Sequence, residues 1–226
     1  MIRIGILCAT EKELQPFLYV LENSRSEEYS MHMFHCGIIN GMDIVAVFSG
    51  CGEVNAAITA QVMIDHYNVD GVIFSGIAGG MTEETKIFNT VVCTAASFHD
   101  TNNEIYTDFP IMPEPIFYAD ENLLSIAQKA ALRITHPVHY GLATTGDIFT
   151  GLYSSDALCI DMETAAAAHA CYLNHKPFIA IRSISDNRED SGQEAINRNY
   201  ERAANMSYLF VREMLTEMRS ESAKNS

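Results

Sequence analysis

One pattern constrains this chain more than any other. Short apolar β-type runs each lead to a glycine or an acid, and helical patterns are set between them. The runs are Ile2 to Ala9 (IRIGILCA), Gly71 to Ser75 (GVIFS), Thr90 to Phe98, His139 to Thr144 (HYGLAT), Ala157 to Ile160 and Pro177 to Ser185 (PFIAIRSIS). Near-continuous apolar runs suit strands buried on both faces, and their alternation with helices marks an α/β chain. Met31 to Ile39 and Met42 to Phe48 flank Asn40-Gly41, a strong hairpin signal. The 226 residues hold no internal repeat, low-complexity block or linker, and at 48% hydrophobic they can fill a large core. The expectation is a single three-layer α/β/α domain around a mixed, mostly parallel central sheet. It spans residues 1–219, with 220–226 as a frayed tail.

The other segments are read more coarsely. Glu22 to Tyr29 is a polar turn, helices cover Asp120 to Leu132 and about Gln193 to Arg219, and another runs through His66. Residues 101–118 (TNNEIYTDFPIMPEPIFY) carry three prolines, which forbid regular structure, yet many apolar side chains. Such a segment covers a site or meets another subunit.

A net charge of −15 with no Lys/Arg block argues against nucleic acid or an anionic membrane surface as partner. No apolar run reaches the length of a membrane span. The six cysteines form no CxxC, and most lie in apolar runs. They read as buried thiols of a reducing compartment, with no disulfide frame and no metal site. The chain opens on a strand pattern without a signal peptide, so a cytoplasmic location is expected.

Ligands of open α/β sheets sit at the carboxyl ends of strands, and there this sequence places its polar residues. Glu13 follows the first run. With Thr10 it matches a capping box, but Pro16 argues for a later helix start that leaves Glu13 in a loop. Ser49 to Asn55 (SGCGEVN) is a glycine turn opening a helix. It half matches a dinucleotide fingerprint, with Asn55 where the third glycine belongs and Asp70 near the distance of a ribose-binding acid. Gly76-Ile77-Ala78-Gly79-Gly80 is a second glycine turn and a second wall of the same cleft; alternatively it is a turn that needs φ > 0. His99-Asp100 orients a ligand or a partner chain, or closes a surface turn. Asp161, Met162 and Glu163 precede an alanine-rich helix, where acids also serve as ordinary caps. Asp186 closes the last run. Together, Glu13, Glu163, Asp186 and the glycine turns describe an acidic pocket with backbone donors. There is no serine elbow, HExxH or P-loop.

The set IGI…ExxL, SGxG, SGIAGG, FHD, TGDxF, DMET followed by alanines, and SISD resembles the nucleoside phosphorylase/nucleosidase superfamily from Ile4 to about Leu215. The likeness is nearest to its 5′-methylthioadenosine/S-adenosylhomocysteine nucleosidase branch. That resemblance implies a cofactor-free, metal-free enzyme of methionine salvage, hydrolysing a 5′-modified adenosine to adenine and the free 5′-modified ribose. It implies that Glu13 deprotonates the attacking water and Asp186 protonates adenine N7. Glu163 would bind the ribose hydroxyls, Met162 pack on the sugar, Phe149 stack on adenine and the Thr150 backbone read its edge. Asp161, Ile77, Ala78 and Gly79 join the substrate-binding set, and Cys51 stands where a larger aliphatic residue commonly lines the 5′ pocket. It also implies a homodimer, with residues 105–117 near the neighbouring site. Phe74 stands where the phosphorylase branch has an arginine, and Glu11 and Glu13 would repel a dianion, so water is expected as nucleophile. The 149–161 segment is shorter than in the family. Ile196 falls near where an aromatic often closes the pocket, and Ile77 replaces a small polar residue. A phosphorylase on the same fold, a dinucleotide-binding oxidoreductase and a non-enzymatic nucleoside-binding protein stay open as alternatives.

Overall fold

A computed structural model of the chain describes residues 2–102, 109, 112, 114–148 and 156–224. The elements run β1 (Arg3–Cys8), α1 (Glu11–Leu18), β2 (Glu22–Tyr29), β3 (His32–Ile39), β4 (Met42–Phe48), α2 (Glu53–Asp65), β5 (Gly71–Gly80) and β6 (Thr90–Phe98). Then follow β7 (Phe117–Tyr118), α3 (Glu121–Ala131), β8 (Val138–Thr145), β9 (Ala157–Asp161), α4 (Thr164–Leu173), β10 (Phe178–Asp186) and α5 (Gln193–Lys224).

Side chains alternate across a strand, and here both faces are apolar. On β1 and β4, Ile4, Ile6, Cys8, Ile44 and Ala46 pack toward α1, α3 and α5 with Phe17, Leu123 and Phe210. Leu7, Val45 and Val47 pack the other way, toward α2 and α4 with Ala60, Met63 and Ala167. These are the three layers expected from the runs. The sheet is mixed. Parallel pairs β4–β1–β5–β10 form its middle, and β6–β8–β9 is a second parallel group. Antiparallel contacts β10–β6 and β5–β9 join the two, so β5, β10, β6, β8 and β9 close into a ring. The hairpin β3–β4 has Asn40 at φ 50° and Gly41 at φ 76°, the positive pair a type I′ turn demands.

Several expectations need correction. Glu22–Tyr29 is not a turn: it is β2, paired antiparallel to β3. All eight of its residues are exposed, so no apolar face announces it. α1 begins at Glu11 despite Pro16, with the full Thr10/Glu13 capping box in place. Gly76–Gly80 is not a turn either. It continues β5, with no positive φ among its glycines. The tail is helical to Lys224, and Lys129 on α3 pairs with Glu221 there. Cys51 is exposed, unlike the buried Cys8, Cys93, Cys159 and Cys171, and all six thiols are free. Among the described residues, no helix is long and apolar enough to cross a membrane.

Candidate active site

Glu13 is the third residue of α1, and burial makes it more than a cap. Its side chain folds back so that Oε2 accepts from the backbone N–H groups of Ala9 (2.9 Å) and Thr10 (3.0 Å). Oε1 reaches across to β5 and accepts from the Ile77 N–H at 2.8 Å. Glu13 is 2% exposed. Burial raises its pKa above the ordinary glutamate value, opposed by Arg182 and the three backbone donors.

Gly76 is what admits this carboxylate. A Cβ there would lie 2.5 Å from Arg182 Nη1 and 2.6 Å from Glu13 Oε1. Glycine is required for close approach, not for a left-handed backbone.

Glu163 occupies the N-cap position of α4 without capping it. Its Oε1 accepts from the Gly52 N–H at 2.9 Å, at the start of α2. Gly50 (φ 82°) and Gly52 (φ 98°) hold that turn in a conformation other residues resist. Burial, foremost, lifts the Glu163 pKa to about 7, with Arg182 pulling down and Asp161 pushing up.

Asp161 does the capping that its neighbour declines. Its Oδ1 accepts from Thr145 Oγ1 (2.6 Å) and from the N–H groups of Glu163 (3.2 Å) and Thr164 (3.1 Å). Its Oδ2 takes the Thr164 hydroxyl and pairs with Arg182 Nε at 2.8 Å. Both oxygens are committed to protein partners, and the side chain is 1% exposed. Asp161 is thus the cap of α4, with its oxygens held by Thr145, Thr164 and Arg182.

Arg182, missed in the sequence, sits at the centre. It lies fully buried in β10, with Nε on Thr164 Oγ1 (2.9 Å) and its guanidinium 4.1 Å from the Phe74 ring centroid. Nη2 stands 3.7 Å from Glu163 Oε2, an ion-pair distance too long for a hydrogen bond. Burial pulls its pKa down, but Asp161, Glu163 and Glu13 together raise it above the usual arginine value. The signal was present: a guanidinium in the middle of a strand buried along its whole length needs carboxylates around it.

Asp186 closes β10 opposite Gly79 of β5. Its Oδ1 accepts from Ser185 Oγ at 2.7 Å. Burial raises its pKa, partly offset by that hydrogen bond, with Asp190 adding to the rise. Glu13 meets β5 at Ile77, and Asp186 meets it at Gly79, where a Cβ would lie 3.5 Å from Asp186 Oδ2. Two residues of strand separate these points by about 7 Å. Ala78 lies between them, and Met162 is half-buried beside Glu163. The sequence-derived set is thus brought together, except for Phe149 and Thr150, which lie outside the described residues.

The dinucleotide reading fails on these bonds. The first N–H groups of the α2 turn are taken by carboxylates of this chain, Glu163 on Gly52 and Asp147 on Glu53 (2.9 Å). Asn55 binds the Cys51 carbonyl at 2.8 Å. Asp70 lies at the opposite end of the sheet, accepting from the Arg3 N–H at 2.8 Å. His99-Asp100 closes a turn, with Asp100 Oδ2 accepting from the Asp147 N–H at 2.9 Å. Among the described residues, no group of three or more His, Cys, Asp or Glu side chains is arranged to hold a metal ion.

The chain matches the family described as Phosphorylase superfamily over residues 3–216. A 5′-methylthioadenosine/S-adenosylhomocysteine nucleosidase of Maridesulfovibrio salexigens is 32% identical, with 96% of this chain and 100% of that protein covered. A nucleosidase of the same name from Colwellia psychrerythraea, solved with adenine, superposes with a TM-score of 0.87 at 30% identity, covering 96% of this chain and 95% of that one. The Streptococcus pneumoniae nucleosidase of that name, solved with the transition-state inhibitor MT-ImmA, gives a TM-score of 0.86 at 25% identity, with coverage of 96% and 100%.

Proposed function

This chain belongs to the phosphorylase superfamily, and from that premise we propose that it hydrolyses the N-glycosidic bond of 5′-methylthioadenosine, S-adenosylhomocysteine or a related 5′-modified adenosine, releasing adenine. The observation that carries the reading is the pair of buried carboxylates spaced along β5, Glu13 at Ile77 and Asp186 at Gly79, with Glu163 and Arg182 beside the first.

The two ends have different electrostatics. Arg182 acts on Glu13 and Glu163, holding their proton affinity down against burial. No such cation opposes the rise at Asp186. In the proposed reaction Glu13, ionised, takes the proton of the attacking water, with Arg182 Nη2 3.7 Å from Glu163 Oε2 nearby. Asp186, protonated, gives its proton to adenine N7, so the purine leaves neutral. Glu163 accepts from the ribose hydroxyls, and the carboxylates stabilise the oxocarbenium character growing on the sugar. Activity then falls at low pH as Glu13 takes up a proton, and at high pH as Asp186 loses one.

The charge balance favours water over phosphate. Arg182, which the sequence reading did not weigh, is a cation at the site, but it faces Asp161, Glu163 and Glu13 together. A dianion would meet a net negative surface. Adenine release from several 5′-substituted adenosines, with and without phosphate, tests this. Equal rates and no ribose 1-phosphate are expected; release that requires phosphate would assign a phosphorylase instead.

A homodimer in the cytoplasm is part of the proposal. The outer face of α2 and α4 exposes Val54 (66%), Ile58 (49%) and Leu173 (42%) around a groove that Phe98 and Ala170 complete. A second copy covering this face would bury it. About half of the stretch 105–117, expected near the neighbouring site, lies outside the described residues; of the rest, Phe109 is exposed while Met112 and Phe117 are buried. Val54→Glu with Ile58→Glu is expected to give a monomer by analytical ultracentrifugation. A parent protein that already sediments as a monomer would remove the proposal.

A further inference from the structure

The first turns of α5 reach both ends of the site. Asn199 is buried, and its Nδ2 donates to the Ser185 carbonyl at 2.8 Å. Ser185 is the residue whose hydroxyl donates to Asp186 Oδ1. The next residue, Tyr200, points elsewhere: its hydroxyl hydrogen-bonds Thr10 Oγ1. Thr10 Oγ1 accepts from the Glu13 N–H (3.4 Å), and the Thr10 N–H donates to Glu13 Oε2 (3.0 Å). Successive helix residues diverge by about 100°, so one turn grips the segment beneath each carboxylate. Burial and the nearby Glu13 carboxylate both raise the pKa of the Tyr200 hydroxyl, which places the phenol beside that end of the site. Packing alone does not call for these groups. A leucine and a phenylalanine would fill the same space without a polar atom that needs a partner.

We propose that Asn199 and Tyr200 are a positioning pair that sets, from one turn of α5, the placement of Asp186 relative to Glu13. The reaction they would serve is the hydrolysis read above. Tyr200 steadies the Thr10 cap, which keeps the donors of Ala9, Thr10 and Ile77 on the Glu13 carboxylate. Asn199 steadies the Ser185 peptide, which keeps its hydroxyl on Asp186. Farther along the helix Ser207 continues the grip on the sheet. Its Oγ accepts from the Gly76 N–H at 3.1 Å and donates to the Ile181 carbonyl at 2.9 Å.

The test uses Tyr200→Phe and Asn199→Leu in the full chain, with carboxyl carbons labelled for NMR titration and adenine release followed against pH. Tyr200→Phe is expected to move the Glu13 titration upward and leave Asp186 in place. Asn199→Leu is expected to move Asp186 upward and leave Glu13 in place. Each should lower kcat roughly ten- to a hundred-fold, the scale of a small misplacement of reacting groups, with KM little changed. Thr10→Ala removes the partner of Tyr200 without touching α5, and should reproduce the Tyr200→Phe titration. Both carboxylates moving together in either variant, or neither moving, would overturn the pair. Titrations that separate in a protein releasing no adenine would keep the pair and sink the hydrolysis. Adenine release with unseparated titrations would do the reverse.

Discussion

Asp186→Asn lowers adenine release by roughly a hundred- to ten-thousand-fold, the range a positioned general acid supplies. The side chain keeps its shape and can still accept from Ser185 Oγ, so the thermal midpoint stays close to the parent's. What the amide lacks is a transferable proton. Burial raises the Asp186 pKa, so in the parent the acid form persists to a higher pH than an ordinary aspartate allows, and activity declines as the pH climbs past it. The variant loses that alkaline limb along with most of its rate. A pH series of adenine release by the two proteins checks both. A variant with the parent's rate and the parent's alkaline limb would take the acid role away from Asp186.

Arg182→Leu destabilises the fold by about 3–5 kcal/mol near pH 8, the scale of removing one partner from a buried ion pair. The guanidinium is fully buried against Asp161 and within ion-pair distance of Glu163. Without it, Glu163 and Glu13 keep burial, which raises their pKa, and lose the charge that lowered it. The sign of the pH dependence follows. Groups whose folded pKa lies above the unfolded value favour the folded state when protonated, and that contribution is lost as the pH rises. The variant therefore recovers part of its stability between pH 8 and pH 5, as the orphaned acids take up protons. Urea melts at the two pH values measure it. A loss that is the same at both would mean that Arg182 acts through packing on Phe74 and not through charge.

The three layers were legible because the apolar runs are long and their helices sit between them. Glu13 shows the limit of local reading. Proline at position 16 and a cap at position 10 looked like rivals, yet both are satisfied, because an eight-residue helix tolerates one missing internal hydrogen bond when its N-terminus is anchored. β2 was invisible for the opposite reason. ENSRSEEY has no buried face, so only pairing to β3 makes it a strand. The glycines after Phe74 read as a turn because glycine usually marks one, whereas here the missing side chains make room for neighbours: Arg182 and Glu13 at Gly76, Ile160 at Gly79 and the Thr85 carbonyl at Gly80. Asp161 and Glu163 could not be told apart by spacing: both precede the same helix, and only Gly52 and Arg182, far along the chain, decide which of them caps.

β2 also bears on how copies of this molecule avoid one another. It is the last strand on its side of the sheet, so its outer amides and carbonyls have no strand to pair with among the described residues. Arg25, Glu27 and Glu28 stand along that open margin and are exposed. Charges so placed make strand-upon-strand growth into fibres unfavourable. Neutralising them would leave the nucleoside pocket intact while removing the guard on a ready template for polymerisation.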